Sequence, residues 1–153
     1  MTEPMDNDTP LSATQRTLPI ALLRAREAVM EHYRPMLRAI DVTEQQWRVL
    51  RVIREADEID ATQLARLACV LAPSLTRILK ALEARGLIAQ TRDPADRRRS
   101  RVTLTEAGLG LLHNAAHDSA RIAAGIEARL GADRLAALLD TLDLVIADLS
   151  ADR

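Results

Sequence analysis

The chain has 153 residues, with 21 basic and 22 acidic side chains and a formal net charge of −1. That length suits one ordinary domain, or a domain with an appended element. The mix of 48% hydrophobic and 28% charged residues excludes a disordered polymer, and a single cysteine excludes an internal disulfide.

Two aromatic residues, Tyr33 and Trp47, are too few for a row of rings that stacks single-stranded bases. No apolar run approaches the roughly 18 to 20 residues needed to span a bilayer. The first twenty residues lack the basic start and apolar stretch of a secretory signal, so the expected location is the cytoplasm. Near neutrality would also argue against nucleic acid if the charge were evenly spread, but it is not. From Ala61 to Thr105 there are nine basic and three acidic side chains, a net +6, which leaves the other residues at −7.

In chain order, residues 1–14 hold Pro4 and Pro10 among scattered acids and read as a loose N-terminal tail. Leu18, Leu22, Ala25, Val29, Tyr33, Met36 and Ile40 then recur at intervals of three and four, the spacing of one helix face. Pro35 lies inside this stripe and is expected to kink or end the helix near His32. At Thr43-Glu44-Gln45-Gln46 a hydroxyl and an amide three residues apart can cap each other's backbone N–H groups, opening a second helix whose buried side holds Trp47, Leu50 and Ile53.

Asp60 caps a third, short helix carrying Leu64, Leu67 and Ala68. Pro73 suits the first turn of a fourth, with Leu75, Ile78, Leu79 and Leu82 on its core face and Gly86 just past its end. Only a few residues, around Val70 to Ala72, separate the two, which predicts a helix-turn-helix. Leu87 to Arg92 and Ser100 to Leu104 read as a β-hairpin with a basic tip. Thr105 caps a fifth helix, with Leu104 and Leu109 placed as a staple, ending at Gly131. A sixth carries Leu135, Leu138, Leu139, Leu142, Val145, Ile146 and Leu149 as a nearly continuous apolar stripe. The terminal helices are too apolar to stand alone in water, so they are expected to pack within the chain and across a two-fold axis as an obligate dimer.

On the fourth helix, Ser74, Thr76, Arg77 and Lys80 lie away from the apolar stripe. Short side chains there let the backbone approach phosphates, and Arg77 is long enough to pair with the O6 and N7 acceptors of guanine in a major groove. Arg97, Arg98 and Arg99 crowd the hairpin tip, an arrangement whose self-repulsion an anionic partner relieves. Asp96 is placed to hold that turn, leaving Arg98 to enter a narrow minor groove.

With these pieces in place the sequence resembles the MarR family of winged helix-turn-helix transcriptional regulators over roughly Leu18 to Leu149. The resemblance rests on Val42-Thr43-Glu44-Gln45-Gln46-Trp47, Leu64-Ala65, Pro73-Ser74-Leu75-Thr76-Arg77, Leu82-Glu83-Ala84-Arg85-Gly86-Leu87-Ile88, Asp96-Arg97-Arg98 and Leu104-Thr105-Glu106-Ala107-Gly108. It implies a mainly α fold with a small β-hairpin wing. Residues 42–105 would form the DNA-binding domain, and residues 15–41 and 106–150 the helical dimerisation region. It also implies recognition of a pseudo-palindromic double-stranded operator, with half-sites roughly 34 to 36 Å apart. More narrowly, Ala25-Arg26-Glu27-Ala28, Arg34-Pro35, Thr43-Glu44-Gln45-Gln46-Trp47-Arg48 and Ala68-Cys69 are similar to the subgroup that represses homoprotocatechuate (4-hydroxyphenylacetate) catabolic operons and is relieved by its aromatic acid.

A phenolic acid needs cations or paired donors for its carboxylate and an apolar slot for its ring. Arg24, Arg26, His32 and Arg34 on the first helix and Trp47 on the second are the candidates. Cys69, among Leu67, Ala68, Val70 and Leu71, is expected to be a buried, inert thiol. His113 and His117 stand four residues apart without a further well-spaced ligand, so they read as a solvated face and no metal or other cofactor is expected. Without a glycine-rich phosphate loop, nucleophile elbow or convergent acid/base cluster, no enzyme is expected. The alternatives are a winged-helix adaptor acting through protein contacts, against which the arginine-rich wing argues, and a regulator answering a different phenolic or redox signal.

Overall fold

The computed structural model describes residues 13–96 and 99–151. A 3-10 turn over Thr14–Arg16 precedes α1 (Leu18–Ala39), α2 (Glu44–Ala56), β1 (Glu58–Asp60), α3 (Ala61–Ala68) and α4 (Ala72–Ala84). Two strands, β2 (Ile88–Arg92) and β3 (Ser100–Leu104), follow, and then α5 (Glu106–Leu130) and α6 (Ala132–Ser150). The chain divides between His32 and Tyr33 into two units. Among the described residues no helix is long and apolar enough to cross a membrane.

The first unit contributes the start of α1, with Leu18, Leu22, Leu23 and Val29 exposed. α1 continues through Pro35 to Ala39, so of the two expected effects of the proline, a kink or an end, the end near His32 is corrected. The ring forfeits one backbone bond, to the carbonyl four residues back, while Met36 and Leu37 just beyond it are buried and hold the last turn.

The second unit holds the core. Val49, Leu50, Ile53, Leu64, Leu82 and Val102 are fully buried, from four of its elements, each worth roughly 1.5–3 kcal/mol of burial for an aliphatic side chain of this kind. The helix ends form as their sequences predict. Thr43 and Gln46 make the reciprocal capping box, Asp60 accepts the Gln63 N–H at 2.9 Å, and Thr105 accepts the Gly108 N–H at 3.1 Å. Past α4, Gly86 adopts φ +70°, and the Gly86 and Leu87 N–H groups return to the Glu83 and Leu82 carbonyls at 2.9 and 3.0 Å. That pair of bonds is a glycine-terminated helix stop.

The sheet has three antiparallel strands in the order β1-β3-β2. β1 is an addition to the expected hairpin. Ile59 faces Val102 and Gln90 faces Val102 on the other side, so β3 is the central strand. Gly108 lies against the strand connection: a Cβ there would stand 2.1 Å from the Leu87 carbonyl oxygen, which also accepts the Thr105 N–H at 3.1 Å. No side chain of α6 is buried, and Leu138, Leu139, Leu144, Ile146 and Leu149 are exposed.

Candidate functional site

α4 starts at Ala72 with Pro73 in its first turn and no side-chain cap from Leu71. Its first N–H groups and the positive end of its dipole are therefore unclaimed by a capping side chain, the arrangement that attracts phosphate oxygens. Leu75, Ile78, Leu79 and Leu82 face the core, which turns Thr76, Arg77 and Lys80 outward, with Ser74 half-buried beside them. The Thr76 hydroxyl donates to the Ala72 carbonyl at 3.2 Å. Thr76 and Lys80 line an open groove of about 490 Å³ together with Thr62 of α3, Gln90 of β2 and Ser100 of β3. The structure thus sets the polar face of α4 beside the wing.

The wing turn is built around Asp93. Its backbone N–H donates to the Arg99 carbonyl at 2.8 Å, its carbonyl accepts the Asp96 N–H at 3.2 Å, and its carboxylate accepts the Ala95 N–H at 2.9 Å. The Asp96 carbonyl in turn accepts the Arg99 N–H at 3.0 Å. Asp96 enters the turn through its backbone, and the Asp93 carboxylate accepts a backbone N–H within it. The Ala95 N–H, followed by the positive charges of Arg101 and Arg99, holds the Asp93 carboxyl below its ordinary value, against an opposing effect of burial. Arg101 extends the same network to Glu58 of β1. In the sequence Arg101 is one more basic residue, because its partner lies 43 positions away on a three-residue strand without a readable period. Arg99 is exposed, and Arg97 and Arg98 lie outside the described residues.

The second feature is a cavity of about 860 Å³ between α2 and α5, within the range of small-molecule sites. Tyr33, Trp47, Arg51, Arg54, Leu112 and His113 are among its lining residues. The Arg51 guanidinium lies over the Trp47 ring, 6.0 Å from its centroid. Trp47 is buried, as a ring-contacting residue requires. Arg34 is engaged with Glu44 at 2.8 Å, both half-buried. Arg24, Arg26 and His32 are exposed residues of the first unit, with Arg26 3.7 Å from Glu27. Arg51, Arg54 and His113 were missed. The signal for Arg51 was present in its i, i+4 spacing from Trp47, which puts both on one helix face.

Cys69 corrects another expectation. It is exposed, in the left-handed conformation that ends α3, with φ 54° and ψ 50°. Its apolar neighbours Leu67 and Leu71 are themselves 50% and 77% exposed, so the surrounding sequence did not imply burial.

Comparison with known proteins agrees with this geometry. Residues 42–100 match the model of the MarR family. The chain is 38% identical over 131 residues to the homoprotocatechuate degradative operon repressor of Escherichia coli, covering 86% of this chain and 88% of the relative. The structure of NadR in complex with 4-hydroxyphenylacetate is similar at 35% identity and a TM-score of 0.77, covering 89% of this chain and 96% of NadR. The transcriptional repressor CouR bound to a 23-mer DNA duplex is similar at 31% identity and a TM-score of 0.78, covering 90% and 99%. A helix-turn-helix followed by a three-stranded wing sheet, matched over most of the chain's length by MarR-type repressors, places the chain in the MarR family of DNA-binding transcriptional regulators.

Proposed function

We propose that the protein is a homodimeric repressor of an aromatic-acid catabolic operon, of the homoprotocatechuate or 4-hydroxyphenylacetate type, released from a pseudo-palindromic operator by a small aromatic acid. The observation that carries this reading is the Trp47–Arg51 pair inside the α2–α5 cavity. A ring stacks against indole and an apolar wall, while the guanidinium supplies the two parallel donors that fit a carboxylate. Tyr33 and His113 add polar groups that suit a phenol hydroxyl. Relatives bound to 4-hydroxyphenylacetate and to a DNA duplex support both halves of the reading.

On the DNA side, Arg77 and Lys80 of α4, with Ser74 and Thr76 at its start, meet a major groove. The wing residues Asp96 to Arg99 meet the flanking backbone and minor groove. The exposed apolar faces of α1 and α6 supply the interface with a second copy. Of the five effector candidates, Trp47 lies at the cavity, with Arg51 as its cationic partner.

The test is a titration with 4-hydroxyphenylacetate, read by the fluorescence of Trp47 and by release of the chain's own upstream promoter DNA in a gel-shift assay. Saturable quenching with release is expected. Absence of both at millimolar ligand overturns the reading.

A further inference from the structure

Arg48 follows Trp47 directly on α2, so it leaves the helix on a different face from the Trp47–Arg51 pair. Its Nε donates to the Ala68 carbonyl at 2.9 Å and its Nη2 to the Cys69 carbonyl at 3.5 Å. Those two carbonyls belong to the end of α3 and its left-handed cap, the turn that leads into α4. Carbonyls at a helix end have no partner within the helix, and a guanidinium fork satisfies two at once while complementing the negative end of the dipole. The same turn is closed by the Val70 N–H on the Ala65 carbonyl at 3.0 Å.

Between the two faces α2 is solid, with Val49, Leu50 and Ile53 fully buried. A close-packed helix moves as a body, so a displacement at Trp47 and Arg51 reaches Arg48 undiminished. The Nη2 bond stands at the limit of hydrogen-bond length, so α2 is tied to the turn mainly through the shorter Nε bond.

We propose that Arg48 is the positioning residue that transmits occupancy of the Trp47–Arg51 cavity to the recognition helix α4, through the turn before it. This rests on the aromatic-acid reading above. Arg48 touches neither effector nor DNA in this role. It couples the two sites, and such coupling is reciprocal.

The experiment uses the full chain as wild type, Arg48→Met and Arg48→Lys. Two quantities are read: the Kd for 4-hydroxyphenylacetate from Trp47 fluorescence without DNA, and the ratio of operator Kd values with and without saturating ligand. In the wild type the ligand is expected to weaken operator binding by about 5- to 150-fold. Arg48→Met is expected to keep the ligand Kd within about twofold of wild type while that ratio falls to about twofold or less, and Arg48→Lys, which retains a donor, restores part of it. Should Met perturb the fold, Arg48→Gln, too short to reach both carbonyls, is expected to give the same loss. A full wild-type ratio in Arg48→Met or Arg48→Gln overturns the coupling and leaves the aromatic-acid reading intact. A wild type that neither binds the ligand nor is released by it overturns both.

Discussion

Arg101 Nη1 donates to Glu58 Oε1 at 2.7 Å, joining the central strand of the wing to β1. In the register of the sheet Arg101 stands opposite Asp60 and Glu58 opposite Thr103, so the pair is a diagonal one, within reach of a long side chain. Its other terminal nitrogen lies 3.6 Å from Asp93 Oδ2, at the base of the wing turn. Two carboxylates therefore claim this guanidinium, and Arg101 braces the wing, with Arg99, two positions before it, exposed beside the same carboxylates.

The brace predicts a difference between neighbouring arginines on operator DNA. Each phosphate contact contributes about 0.9 to the slope of log K against log salt. Arg99→Met is expected to lower that slope by about 0.9, and Arg101→Met to leave it unchanged while weakening binding at every salt concentration. Fluorescence anisotropy across a salt series checks both; equal slopes for the two variants would count against the assignment.

The Asp93 carboxyl is depressed from its ordinary value of 3.8. A depressed carboxyl contributes stability that is fully present above its unfolded value and is lost as pH falls through its folded value. The wing turn is therefore expected to be indifferent to pH from about 5 to 8 and to loosen only in acid below the ordinary carboxylate range. A carboxyl-carbon NMR titration of Asp93 with a midpoint at or above 3.8 contradicts this.

Arg77 is exposed on the outer face of α4. Arg77→Ala is expected to cost about 1–3 kcal/mol of operator binding and to relax the preference at one base position. Competition gel shifts with operators altered one base pair at a time provide the measurement. Equal loss on operator and random DNA would assign Arg77 to the phosphate backbone instead.

Gly108 has no room for a side chain, because the obstacle is the Leu87 carbonyl oxygen and not a flexible chain end. Gly108→Ala is expected to destabilise the protein by about 1–3 kcal/mol, more than the small gain in helix propensity returns. At roughly 2–4 °C per kcal/mol for a chain of this size, calorimetry should register a clear fall in Tm. An unchanged or raised Tm would mean that α5 can slide off the strand connection without loss.

Cys69 occupies a left-handed position that glycine adopts at no steric cost. Cys69→Gly is expected to stabilise the protein, by no more than about 1–2 kcal/mol. In the native protein Cys69 is expected to react fully with a maleimide without denaturant. Protection of the thiol until unfolding would restore the buried reading that the structure overturns.

The helix boundaries were legible because their signals are local: Thr43 with Gln46, Asp60, Gly86, Thr105 and Gly131 each act within one turn of chain. β1 escaped because three residues with one apolar side chain carry no period, and its existence depends on β3, more than forty positions on. Pro35 does not end α1 because the burial of Met36 and Leu37 beyond it offsets the one lost backbone bond. The exposed polar face of α4 was visible as the complement of its apolar stripe. The cavity was half visible: Trp47 stood out by its rarity, whereas Arg54 and His113 lie on helices whose packing no single-helix pattern records.

The contact between Gly108 and Leu87 has a mechanical consequence. α5 spans Glu106–Leu130, so at 1.5 Å per residue it is about 37 Å long, with its tight contact in the first turn. Such a helix is a lever with its fulcrum at one end: a tilt of about 5° at Gly108 carries the Leu130 end through about 3 Å. A small change of angle where glycine meets carbonyl is thus a displacement of about 3 Å at the far end of α5.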